Sequence, residues 1–159
     1  MIKVVSTVNE SVIMDILGVP EIWATVSEGD IEPEEFNIDF EDTIWLLMIK
    51  DDTIIGMYNF EALNSVSVEI HAHVLPEYRK QYSKETGTAA LRWLFDNVPW
   101  AYKVVAQVPE IYPNVSSFVE SFGFELEGTN RESWLKDGSL WDVHSYGLTI
   151  GELEVAING

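Results

Sequence analysis

Residues 114–128 read NVSSFVESFGFELEG, and the order of the elements is worked out most directly from them. Val115, Phe118, Val119 and Phe122 fall at i, i+3, i+4 and i+7, the spacing of one face of an α-helix. Asn114 is placed to cap the start of that helix, and Gly123 to end it in the left-handed conformation. Phe118, Phe122 and Phe124 are expected to be buried together. Downstream, 124–130 reads as a strand, Asp137-Gly138 as a hairpin turn and 140–149 as a closing strand. Upstream, 102–108 is a strand, and 83–97 is a helix with Gly87, Leu91 and Phe95 on one stripe and Ala90 and Leu94 beside it. Before that, Val66, Val68, Ile70, Ala72 and Val74 alternate with Ser67, Glu69, His71 and His73, which gives a strand with one apolar and one polar face. The runs 43–50 and 53–61, joined at Asp51-Asp52, form a hairpin, and 9–26 reads as two short helices broken at Gly18-Val19-Pro20. The series predicts one domain over residues 1–159, a mixed α/β (α+β) sheet, largely antiparallel and twisted, flanked by helices.

The formal net charge is −18 and is unevenly spread: residues 1–64 carry 14 acidic and 2 basic side chains, residues 65–159 carry 13 and 7. Eight carboxylates lie between Glu28 and Asp42 with no lysine or arginine among them. Such a field repels nucleic acid and anionic membrane and favours cationic partners. No run approaches the roughly 18 apolar residues needed to cross a bilayer, and the first residues lack a secretory leader pattern, so an intracellular, soluble protein is expected. There is no cysteine, which excludes disulfides, thiolate catalysis and Cys-type zinc sites.

Two groups of residues stand out against this background. Arg79, Lys80 and Lys84 are three of nine basic residues and share one six-residue window, with Gln81, Tyr82 and Ser83 between them, where a helix begins. Cations and helix-terminal amides together suit an anionic phosphate group. Glu69, His71 and His73 share the polar face of one strand, and histidine is the side chain whose ordinary pKa suits a general base near neutrality. Two histidines without a third partner do not define a metal site, and none is expected.

Nearly the whole chain, from about Val12 to Leu148, resembles the GNAT superfamily of N-acetyltransferases. His73 through Arg79, leading into a helix, looks like the end of that family's fourth strand and its pyrophosphate loop. The segment from Asn114 through Gly123-Phe124 to Glu127-Gly128 is similar to a family signature. Arg131, Asp142, Tyr146 and Leu148 resemble its terminal hairpin. The nearest resemblance is to GNAT-like proteins encoded by tailed phages, some linked to head assembly, which would place the chain in the cytoplasm of a bacterial host.

The resemblance implies acetyl-CoA held between the strand ending near Val74 and the strand near Val105, with Arg79 to Lys84 at its pyrophosphate and Asn114 nearby. It implies a cationic amine or basic protein as acceptor, and Glu69, His71 or His73 as base. Two departures stand beside it: the loop's small positions are occupied by Tyr82 and Lys84, and the tyrosine that protonates the leaving thiolate in many members is replaced by Val119, leaving Tyr112 as a substitute acid. Three functions therefore stay open: acetyl transfer to an amine, a non-catalytic phage assembly or host-interaction protein, as a homodimer or with an assembly partner, and an acidic DNA mimic.

Overall fold

A computed structural model describes residues 1–27 and 31–158. Glu28 and Asp30, two of the carboxylates in the acidic segment, lie outside the described residues.

The chain begins with strand β1 (Lys3–Thr7), followed by α1 (Glu10–Leu17) and α2 (Pro20–Val26). Asn9 starts α1 by accepting the amide hydrogen of Val12 at 3.2 Å, and Pro20 opens α2, where a missing N–H costs nothing. Three strands then run antiparallel, β2 (Thr43–Lys50), β3 (Thr53–Ala62) and β4 (Ser67–Val74). Asp51 and Asp52 turn the first hairpin with φ of 48° and 63°, the left-handed pair of a two-residue turn. Helix α3 (Arg79–Asn97) and strand β5 (Lys103–Pro109) follow, then α4 (Pro113–Glu120), the hairpin β6 (Glu125–Lys136) and β7 (Ser139–Thr149), and α5 (Ile150–Asn158).

All seven strands join one sheet in the order β1-β2-β3-β4-β5-β7-β6. Every neighbouring pair is antiparallel except β4 and β5, which are parallel and in register only from Ser67 opposite Lys103 to Glu69 opposite Val105. The alternation of β2 through Met48 and of β3 from Met57, on one side of a bulge in their pairing, divides the core. Leu46, Met48, Tyr58 and Phe60 pack on one side with Ala90, Leu91 and Leu94 of α3, Val119 of α4, Phe122 in the turn after it and Leu153 of α5. Trp45, Leu47 and Met57 pack on the other with Ile13, Ile16, Leu17 and Ile22 of α1 and α2. This is the GNAT acetyltransferase fold, a mixed α/β twisted sheet with helices on both faces, as the element order implies.

Several expectations change at the edges. The strand β1 and the helix α5 were not expected, because five residues of KVVST and a short acidic terminal run carry little periodicity of their own; both are held by what they pack against. Helix α3 starts at Arg79, four residues before the expected Ser83, because a 3-10 turn at Pro76–Tyr78 feeds directly into it. Asn114 is no cap: Tyr112 occupies that position without a side-chain hydrogen bond, Pro113 fills the first helical position, and Asn114 is exposed within α4. The helix ends earlier than expected, at Glu120 with Ser121 as its right-handed C-cap, and Gly123 follows two residues beyond the cap with φ of 96°. Phe122 and Phe124 are buried, whereas Phe118 is half-buried and meets Phe122 edge-on at 4.9 Å.

Candidate active site

Past Glu69 and Val105 the ladder between β4 and β5 ends, and the two strands part. A cleft of about 970 Å³ opens there. Its α3 side is apolar, lined by Ile70, Ala72, Ala106, Val108 and Phe118. Its opposite wall, toward α1 and α2, is polar and acidic, with Asp39, Asn59, Glu61, Glu69, His71 and His73. The division follows from the period of two: His71 and His73 alternate with Ile70 and Ala72, and the antiparallel register sets Glu61 opposite Glu69 and Asn59 opposite His71.

His71 Nε2 lies 2.9 Å from Glu69 Oε2 and 3.9 Å from Glu61 Oε2, and its side chain is partly open to solvent. His73, one pleat deeper, is stacked parallel to it with ring centroids 6.5 Å apart. His73 is buried, and its Nε2 sits 2.8 Å from Asn59 Oδ1 while its Nδ1 has no partner. Burial, and then the neighbouring His71, push the His73 pKa down to about 3. His73 is therefore neutral throughout the physiological range.

A stability consequence follows, with a definite sign. Below about pH 6.5 the unfolded chain takes up a proton at His73 and the folded chain does not until about pH 3, so stability is lost as pH falls through that window. Between pH 7 and pH 5 the wild type should lose about 2 kcal/mol relative to His73→Gln, a comparison that cancels what the rest of the protein contributes. Urea unfolding at the two pH values measures it, and parallel behaviour of the two proteins would contradict it.

The remaining expected site residues divide. Val74, Arg79, Ser83, Tyr112 and Asn114 line the cleft with Glu69, His71 and His73. Arg79 Nε donates to the Val74 carbonyl at 2.9 Å, closing the end of β4. Lys80 and Gln81 stand exposed on the first turn of α3. Tyr82 turns back to Tyr78, with ring centroids 6.3 Å apart, and packs against the core. Lys84 reaches α4, donating to the Ser121 carbonyl at 2.7 Å and lying 3.7 Å over the Phe122 ring. The Tyr112 hydroxyl donates to the Ala24 carbonyl at 3.4 Å, and burial, then Asp137, raise its pKa. The expected set omitted Asp39, Asn59 and Glu61. Asn59 and Glu61 break the apolar run of β3 at a spacing of two, which is the signal that would have found them.

A family model described as "Protein of unknown function (DUF2824)" matches residues 2–158. The chain belongs to the DUF2824 family. Among solved structures, this DUF2824 member is similar to a spermidine N-acetyltransferase from Vibrio cholerae crystallised with CoA and spermine, at 17% identity and a TM-score of 0.82, over 96% of this chain and 98% of that one. It is also similar to a putative acetyltransferase at 16% identity and a TM-score of 0.79, over 99% and 87% of the two chains. No curated protein matches the DUF2824 chain. At such identities the likeness is one of fold.

Proposed function

We propose that the protein transfers an acetyl group from acetyl-CoA to a cationic amine. The observation that carries this reading is the parting of β4 and β5 beyond Glu69 and Val105, with an apolar wall on one side of the opening and the Glu69–His71 pair on the other. From Ile70 to Val74 the β5-facing edge of β4 has no strand partner, and it suits an amide-bearing arm that hydrogen-bonds as an added strand would. Ile70, Ala72, Ala106 and Val108 would hold that arm, and Arg79 and Lys80 stand where its phosphates reach the start of α3. When bound, acetyl-CoA supplies an activated acetyl carbonyl.

His71 takes the proton from the incoming ammonium, because the free amine is the nucleophile. Glu69, at 2.9 Å, holds the imidazole in place and stabilises the imidazolium that forms. His73, held neutral by burial, leaves that role to His71. Tyr112 or solvent returns a proton to the leaving thiolate, since Val119 carries none to give. Asp39, Glu61 and Glu69 attract the cation, and Arg79 is the one Lys or Arg side chain among the described residues lining the cleft. The cytoplasm, where acetyl-CoA is made and used, is the compartment this reading requires.

Replacing Arg79 and Lys80 together by Ala should weaken acetyl-CoA binding at least tenfold, about 1.4 kcal/mol. Lys84 is left in place because it ties α3 to α4. Unchanged affinity in a titration would remove these residues from the pyrophosphate site. The reading as a whole is tested by acetyl-CoA turnover against polyamines, aminoglycosides and lysine-rich peptides; release of CoA dependent on one class supports it, and none from any class opposes it. A second reading, a GNAT-fold phage protein that acts by binding in head assembly or on the host, is favoured by the inward turn of Tyr82 and the tethering of Lys84. Absence of both acetyl-CoA binding and turnover would favour it.

A further inference from the structure

Asn59 faces the cleft and has no part in the chemistry above. It is 6% exposed, it lies opposite His71 in register, and its Oδ1 is 2.8 Å from His73 Nε2. His73 Nδ1 is buried without a partner, the one such side-chain atom among the described residues. That asymmetry fixes the tautomer: an orphaned N–H is rarer and costlier in a protein interior than a bare acceptor, so the ring proton sits on Nε2 and is donated to Asn59. The carboxamide is thereby held with its oxygen inward. Its Nδ2 makes no hydrogen bond among the described residues, yet it is not sealed from solvent as His73 Nδ1 is, so its two N–H donors face the cleft.

The wall around it is ranked by the register. Thr43, Glu61 and Glu69 form one row, Trp45, Asn59 and His71 the next, and Leu47, Met57 and His73 the third. An ammonium is drawn to the carboxylate row, and beside the base stands a donor pair with nothing to give to. An alkyl amine or polyamine in its protonated form has only donors and would leave the Asn59 N–H groups desolvated and unpaired. A carboxylate on the ligand would be repelled by Asp39, Glu61 and Glu69.

Resting on the acetyl-transfer reading, we propose that Asn59 is a specificity-determining residue whose Nδ2 donates to an uncharged oxygen of the acceptor. The substrate class is then an amine with an amide carbonyl or hydroxyl a few bonds from the reacting nitrogen, as at a peptide N-terminus or in an amino alcohol.

The test compares kcat/KM for glycinamide, ethanolamine and propylamine in the wild type, Asn59→Asp and, should that fail to fold, Asn59→Ala. The quantity read is the ratio between acceptors in the variant against the same ratio in the wild type, in which the differing basicities of the amines cancel. It should fall about tenfold, the loss of one hydrogen bond, for glycinamide against propylamine if the oxygen is a carbonyl, or for ethanolamine if it is a hydroxyl. A ratio unchanged for both overturns the proposal, whatever the absolute rates do. If the wild type acetylates no amine, the transfer reading fails by itself, and Asn59 is then read through its side-chain amide resonances. Movement on adding glycinamide or ethanolamine but not propylamine supports the donor role, and no movement overturns it.

Discussion

Replacing His71 by Gln lowers kcat/KM for acetyl transfer by roughly 10²–10⁴, the usual contribution of a positioned general base. Glutamine keeps a polar group of similar reach beside Glu69, so the fold is preserved while the proton acceptor is lost. The signature is in the pH profile: the wild-type rate rises with pH as a general base requires, and the variant loses that rise. Glu69→Gln should act in the same direction and more weakly, because Glu69 orients the imidazole at 2.9 Å without taking the proton itself. A His71 variant with a wild-type profile would move the base elsewhere on this wall.

The second large effect is structural. Phe122→Ala should destabilise the protein by about 3–5 kcal/mol, the range for emptying a buried aromatic site. Phe122 sits between α4 and α3 with its ring against Gly87, where any Cβ would run into it, and with the Lys84 ammonium 3.7 Å over its face. Gly87 itself offers no side chain to relax into the space. The two positions should therefore be coupled. Gly87→Ala should destabilise the wild type by overpacking and be neutral or stabilising in the Phe122→Ala background, where the helix-favouring methyl group meets no ring. Chemical unfolding of the four proteins measures the cycle. Additivity of the two changes would show that the ring and the glycine do not share one space.

The elements with strong internal periodicity were legible in the sequence, and those that depend on partners were not. The alternation of 66–74 located β4 to within a residue and put Glu69, His71 and His73 on one face, because a buried apolar face leaves only one register open. The i, i+3, i+4, i+7 pattern located α4 but assigned its inward side slightly wrongly: Val119 and Phe122 are buried, Phe118 is half-buried and Val115 is exposed. A stripe about 100° wide does not specify its own centre. Asn114 looked like a cap because its residue type favours that position, but Pro113 at the first helical position sets the start two residues earlier, with Tyr112 as the N-cap. The acidic wall was half visible. Glu69 and His71 were found on their own strand, while Asn59 and Glu61 come from β3 and joined them only once the hairpin register was fixed. Asp39 reached the cleft from the acidic segment, where its carboxylate also accepts the amide hydrogens of Glu41 and Asp42 at 2.9 and 3.2 Å. Nothing in a run of like charges singles out the one that folds inward.

The central claim is that the opening between β4 and β5 is an acyl-CoA site, and isothermal titration of the wild type with acetyl-CoA tests it most directly. The account predicts saturable binding at one site per chain, with an affinity that falls as salt is raised because Arg79 and Lys80 meet the phosphates near the start of α3. It further predicts that Ala72→Trp, which fills the exposed position on the β4 wall, abolishes that binding while the thermal unfolding temperature stays close to that of the wild type. No heat of binding from the wild type, or undiminished affinity in Ala72→Trp, would contradict it.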